Sequence, residues 1–217
     1  EGMVKYGPDG DLAVRPLTIW GKGIFDFAGK TDTLGAVTIY SGALTNSGMG
    51  GELTIGALTL GGGPAGSSAR VDTGAGALKL GGNLTYSSGN DPETAVISGN
   101  LVLGATRTFT VNNSVASDAL IDLDVPAAIT GAAGHGIAKA SAGVLRMRGT
   151  NTFDGDLTMA NNSGTIILAH PQAAGAPSAT RTFSVGSTAS LVLDGANGDI
   201  TIPDKYATLS LNGAGNT

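Results

Sequence analysis

Apolar and polar positions along this chain alternate in short bursts. A small residue is followed by x-Leu-x-Leu, with Ile, Met or Tyr in some Leu places, and then by a Gly or polar turn. The pairs are Leu53/Ile55, Leu58/Leu60, Leu78/Leu80, Leu84/Tyr86, Leu101/Leu103, Ile121/Leu123, Leu145/Met147, Leu157/Met159, Ile166/Leu168, Leu191/Leu193 and Leu209/Leu211. A period of two buries one face of an extended segment, so each pair predicts a short β-strand. No stretch of useful length carries the i, i+3, i+4, i+7 spacing of an amphipathic helix, and the chain reads as all β.

The intervals between strands carry more information than the strands do. Leu58, Leu78, Leu101, Ile121, Leu145, Ile166, Leu191 and Leu209 follow one another at intervals of 18 to 25 residues, about 22 on average. A β-sandwich has no reason to keep such a period, whereas a solenoid buries the same apolar pair once per coil. Stacking the coils at about 4.8 Å predicts roughly ten of them in a rod about 45 to 50 Å long, its Leu pairs forming one column. Leu53, Leu84 and Leu157 then belong to a second face.

Composition agrees with many tight turns. Glycine supplies 36 of 217 residues, well above the roughly 7% of average domains, and charged residues are only 13%. Gly61–Gly63, Gly81–Gly82, Asn112–Asn113 and Asn161–Asn162 fall between strands, where a positive φ or a close backbone approach is needed. The glycines lack a period of three, which excludes collagen, and 41% hydrophobic residues exclude disorder. A net charge of −5 without a Lys/Arg run argues against nucleic acid as a partner, and no apolar run is long enough for a membrane-spanning helix. With no Cys there is neither a disulfide framework nor a thiolate metal site.

Lys139, Gly143, Leu145, Met147, Gly149, Asn151, Thr152, Phe153 and Gly155, followed by the apolar Thr165–Leu168, form a pattern that resembles the autotransporter-associated β-strand repeat. Leu103–Val111 resembles the strand that leads into that repeat. The likeness covers residues 100 to 195; Ser141 stands where the repeat has Gly, and Phe153 where it has Tyr. The resemblance implies a single-stranded right-handed parallel β-helix, exported to or released from a bacterial cell surface and serving as a stalk or scaffold.

Candidate chemistry is sparse. Asp122 and Asp124 lie two apart, as do Asp154 and Asp156, which suits acid–base work on a sugar; the plainer reading is solvated strand and turn residues. Arg107, Arg146, Arg148 and Arg181 are expected to point to solvent. Gly29-Lys30-Thr31 lacks the upstream Gly of a phosphate loop, and Pro8-Asp9-Gly10-Asp11 is too short for a calcium loop. His135 and His170 have no second His at ligand spacing, so neither a metal nor a cofactor is expected. Asn83, Asn112 and Asn161 each open an Asn-x-Ser/Thr triplet.

Residues 1–32 hold Tyr6, Trp20, Phe25 and Phe27 where the repeat is weakest, and predict an atypical cap or docking segment ahead of a β-helix over 33–217. Ala207–Leu211 reads as one more strand with nothing closing it. The expected surfaces for self-association are therefore Trp20, Phe25 and Phe27 at one end and Leu209 and Leu211 at the other. The function expected is a non-catalytic structural or adhesive solenoid, partnered by copies of itself, by the rest of a larger surface protein, by glycans or by other cells. The alternatives are a carbohydrate-active β-helix using Asp122 and Asp124, and a viral or phage fibre segment.

Overall fold

The computed structural model describes residues 2–8, 12–115, 120–202 and 206–212, with Ala179 as backbone only. Asp9, Gly10 and Asp11 of the segment weighed as a calcium loop, and residues 213–217, lie outside the described residues. Every strand pair is parallel, and the strands form three sheets around one core.

The first sheet comprises Met3–Lys5, Ile24–Asp26, Gly42–Thr45, Ala69–Asp72, Ala95–Ser98, Leu123–Val125, Val144–Met147, Thr165–Leu168 and Ser190–Leu193. The second comprises Leu17–Ile19, Val37–Ile39, Leu58–Gly61, Leu84–Ser87, Arg107–Val111, Ile137–Ala140, Leu157–Met159, Ser178–Val185 and Tyr206–Leu211. The third has five strands, Asp32–Thr33, Glu52–Ile55, Ala77–Leu80, Asn100–Leu103 and Ala128–Gly131. This is the parallel β-solenoid that the periodicity predicts. Strands within residues 1–32 pair in the same parallel sense as those that follow.

Coil size differs from expectation. One inward column of the second sheet runs Leu17, Val37, Leu58, Leu84, Phe109, Lys139, Met159, Val185, Leu211. Its steps range from 20 to 30 residues, about 24 on average, so the chain makes about eight turns rather than ten. Nine layers at the parallel-strand spacing give a height of about 38 Å. The expected single column is also corrected. Leu58 and Leu209 belong to the second sheet, Leu78 and Leu101 to the third, and Leu145, Ile166 and Leu191 to the first, so that series hops between three faces. The core is three columns meeting at the axis, including Leu53–Leu78–Leu101–Ile129 and Leu123–Leu145–Ile166–Leu191. Nearly all of these side chains have no solvent exposure.

The corners are held by asparagine amides that stand in for backbone rungs. Asn83 Oδ1 accepts from Thr108 N at 3.1 Å, Asn112 Nδ2 donates to Tyr86 O at 2.9 Å, and Asn161 Oδ1 accepts from Ser187 N at 3.0 Å. The asparagines of the candidate glycosylation triplets thus tie one coil to the next. Gly149 sits against the previous coil so closely that a Cβ there would lie 1.9 Å from Ala127 O. Ser141, in the place of a repeat Gly, has φ 68°, a conformation that favours glycine.

Candidate functional site

Asp124 lies on the outward face of the first sheet, directly opposite Arg146 in the next coil. Arg146 Nε and Nη2 reach its two oxygens at 2.9 and 3.0 Å, and Arg148 Nε and Nη2 add contacts of 2.9 to 3.1 Å. Two guanidiniums therefore enclose one carboxylate and bury it. Burial alone raises an acid, but these charge-assisted bonds outweigh it and hold the Asp124 carboxyl below the ordinary range. An acid so held stays ionised and serves poorly as a proton donor.

Asp122, two residues earlier, sits in a different environment. It is fully buried; Oδ1 accepts from Ser114 N and Oδ2 from Val144 N, both at 2.7 Å. Burial pushes its carboxyl up, while those two N–H groups and the charge of Lys139 pull the other way. Lys139 occupies the inward column of the second sheet and donates to Ser141 O at 2.8 Å and to Ser163 O. The expectation that Asp122 and Asp124 are solvated is corrected: both are buried structural acceptors. Asp154 and Asp156 do lie in partly exposed turns, accepting from Gly134 N at 2.8 Å and Thr182 N at 2.7 Å.

Arg181 is a second correction. It is 1% exposed rather than solvent-facing, with its guanidinium 4.1 Å from the Tyr206 ring centroid and 5.0 Å from that of Phe153. Nη2 donates to Ala174 O at 3.0 Å and to the Tyr206 hydroxyl at 2.9 Å; Nη1 donates to Ala176 O. Its Nε has no partner among the described residues. A signal for this existed: Thr106-Arg107-Thr108-Phe109 recurs as Thr180-Arg181-Thr182-Phe183, and Arg107 Nε also donates to a backbone carbonyl, Leu80 O, at 3.1 Å. Asn151, which the sequence marks only as a repeat position, is buried too. Its Oδ1 accepts from Ile129 N at 2.8 Å and its Nδ2 donates to Ala173 O at 2.7 Å.

The expected association residues divide. Phe25 and Phe27 are core residues, 1% and 0% exposed. Trp20 is 61% exposed and stacks on Tyr40, one coil on, at 3.8 Å between centroids and 19° between planes. A cleft of about 430 Å³ lined by Met3, Val4, Leu17, Ile19, Trp20 and Phe25 opens at this end. At the other end Leu193, Leu209 and Leu211 continue the inward columns yet are 49%, 44% and 64% exposed. Among the described residues no three His, Asp or Glu side chains converge as a metal site, and no helix is long and apolar enough to cross a membrane. Comparison with family models, curated proteins and solved structures gives no significant match.

Proposed function

We propose that this chain is a non-catalytic, extracellular structural solenoid of the autotransporter-associated kind, a stalk or fibre segment continued at its ends by further coils. The observation that carries the reading is the end face: Leu193, Leu209 and Leu211 lie in register with buried columns and are themselves exposed. A parallel coil at the end of a stack also leaves a row of backbone groups to pair, and the partner that satisfies both needs is another coil. That coil belongs to a second copy. The opposite face, with Met3 and Val4 58% and 56% exposed, is a complementary apolar surface, and head-to-tail joining of unlike faces gives open filaments. The engagement of Asp122, Asp124, Asp154 and Asp156 in structural bonds supports the absence of catalysis from this reading.

Sedimentation velocity and electron microscopy of the chain test it. Rods that lengthen with concentration, and that revert to single rods on Leu209→Asp with Leu211→Asp, are expected. A strictly monodisperse monomer at every concentration overturns self-stacking. Cleavage of a polysaccharide that disappears on Asp122→Asn with Asp124→Asn overturns the non-catalytic reading.

A further inference from the structure

The outer face of the second sheet differs in chemistry from the other two. Between the inward residues of its strands, Thr18, Thr38, Thr59, Thr85 and Thr110 are direct partners across five successive coils. The strand Arg107–Val111 carries a second outward threonine, Thr108, and from it a neighbouring column continues through Ala138, Thr158, Ser184 and Ser210. Eight of the nine coils therefore present a hydroxyl here, and the ninth presents the methyls of Ala138 and Ala140. All of these residues reach solvent. The hydroxyls of Thr18, Thr38, Thr59, Thr85, Thr108, Thr110, Thr158 and Ser184 have no hydrogen-bond partner among the described residues.

Neither column contains a charged residue, in a chain with 12 basic and 17 acidic ones. The charge lies on the other faces: Arg70, Asp124 and Arg146 share an outward column of the first sheet, and Glu52 pairs with Lys79 on the third. Asp156 is exposed beside the ladder, with Oδ1 accepting from Thr182 N, and lies outside both columns. The partner of an uncharged face is itself uncharged, and the partner of a face with one translational repeat is a surface with a repeat. The rung spacing of about 4.8 Å is close to the shortest oxygen repeat along the a axis of hexagonal ice. Threonine suits such a contact, since its branched Cβ restricts χ1, its methyl shapes the adjacent water and its hydroxyl anchors it. Each rung binds weakly, and many rungs held in one rigid register engage together.

We propose that the ladder from Thr18 to Ser210 is an ice-binding surface. A crystalline neutral polysaccharide would share the periodicity, but the aromatic pair argues against it. Trp20 and Tyr40 stack on each other from adjacent coils, so their ring faces are directed along the rod and not outward from the sheet as a sugar platform requires. The inference is independent of the stalk reading, because it concerns a side of the rod and not its ends.

The test is ice-affinity partition and thermal hysteresis of the full chain. Wild type is expected to concentrate in slowly grown ice and to facet ice crystals. Thr59→Lys with Thr85→Lys is expected to lower both activities at least tenfold, while Thr54→Lys on the third sheet leaves them unchanged. Thr59→Ser with Thr85→Ser, which deletes only the methyls, serves if the lysine variant does not fold; it too is expected to lose activity. Exclusion of wild type from ice overturns the proposal, as does full activity in a folded ladder variant. Retention on microcrystalline cellulose or chitin without ice activity also overturns it and assigns the face to polysaccharide, and a dimer formed through the ladder without ice activity assigns it to a second copy.

Discussion

Lys139 stands in a column where the coils above and below place Phe109 and Met159. Burial draws its ammonium down to about 8, against the opposing pull of Asp122. The sign of the consequence follows from linkage. Below pH 8 the lysine is charged in both folded and unfolded chains and the full penalty of burying the charge is present. Between about 8 and its ordinary 10.5 the unfolded chain holds the proton that the folded chain has released, so stability rises with pH. Tyr86, pushed up to about 12 by burial, acts oppositely once the unfolded phenol ionises near pH 10. Denaturant unfolding between pH 7.5 and 9.5 should therefore show a gain of about 1 to 2 kcal/mol. Lys139→Met should flatten that slope while lowering stability overall, because Ser141 O and Ser163 O lose their donor. A wild-type slope of zero, or a slope retained in the methionine variant, would contradict this account. The sequence identified Lys139 only as a repeat position, since a lone Lys between apolar residues gives no sign of whether its stem turns in or out. Arg181 was hidden for the same reason, and only the recurrence of Thr-Arg-Thr-Phe distinguishes it from a surface arginine.

At the scale of the strand, alternation was a sufficient guide and turn chemistry a partial one. Nearly every Leu-x-Leu pair falls in a strand with its apolar residues inward, as at Leu78 and Leu80 or Ile166 and Leu168. Ile121/Leu123 is displaced by one rung: the strand is Leu123–Val125 with Leu123 and Val125 inward, and Asp122 just ahead of it is held by the amides of Ser114 and Val144. What alternation does not reveal is how a sheet stops. The third sheet ends at Ala128–Gly131, and in the next coil Asn151 takes the place of a strand, its amide accepting from Ile129 N and passing a donor on to Ala173 O. Asn151→Ala leaves both backbone groups buried and unpaired, which should cost about 2 to 4 kcal/mol. Asn151→Asp keeps the acceptor but sets a charge against Ala173 O and should cost at least as much. Equilibrium unfolding of the two variants checks the pair, and an alanine variant as stable as wild type would show that the amide is dispensable. Gly149→Ala two residues earlier meets Ala127 O at 1.9 Å, and should be among the most damaging small substitutions in the chain.

For the molecule as a whole, a period read from one series of leucines gave the right architecture and too short a coil. The series left the second sheet between Leu58 and Leu78, across the loop 62–68, left the third between Leu101 and Leu145, and returned to the second at Leu209, and a one-dimensional spacing has no way to register which of three faces a residue occupies. What matters energetically is that each coil is covered only by its two neighbours, so local stability depends on height in the stack. Middle coils such as those of Leu84, Phe109, Leu145 and Leu157 have both faces covered and no exposed core. The last coil has one: Leu209 is 44% exposed where its partner Phe183 has no exposure, and Leu193 is 49% exposed where Leu168 has none. Hydrogen exchange should therefore be slowest in the strands from Leu84 to Leu168 and fastest in Ser190–Leu193 and Tyr206–Leu211, with protection rising inward from that end. End-to-end association adds a specific change, namely slower exchange in the two terminal strands at high protein concentration and no change in the middle. Leu209→Asp with Leu211→Asp should abolish the concentration dependence and leave the middle strands as protected as before. Uniform protection along the rod would mean that the coils unfold as one unit, and coil-by-coil coupling would then be the wrong description of this solenoid.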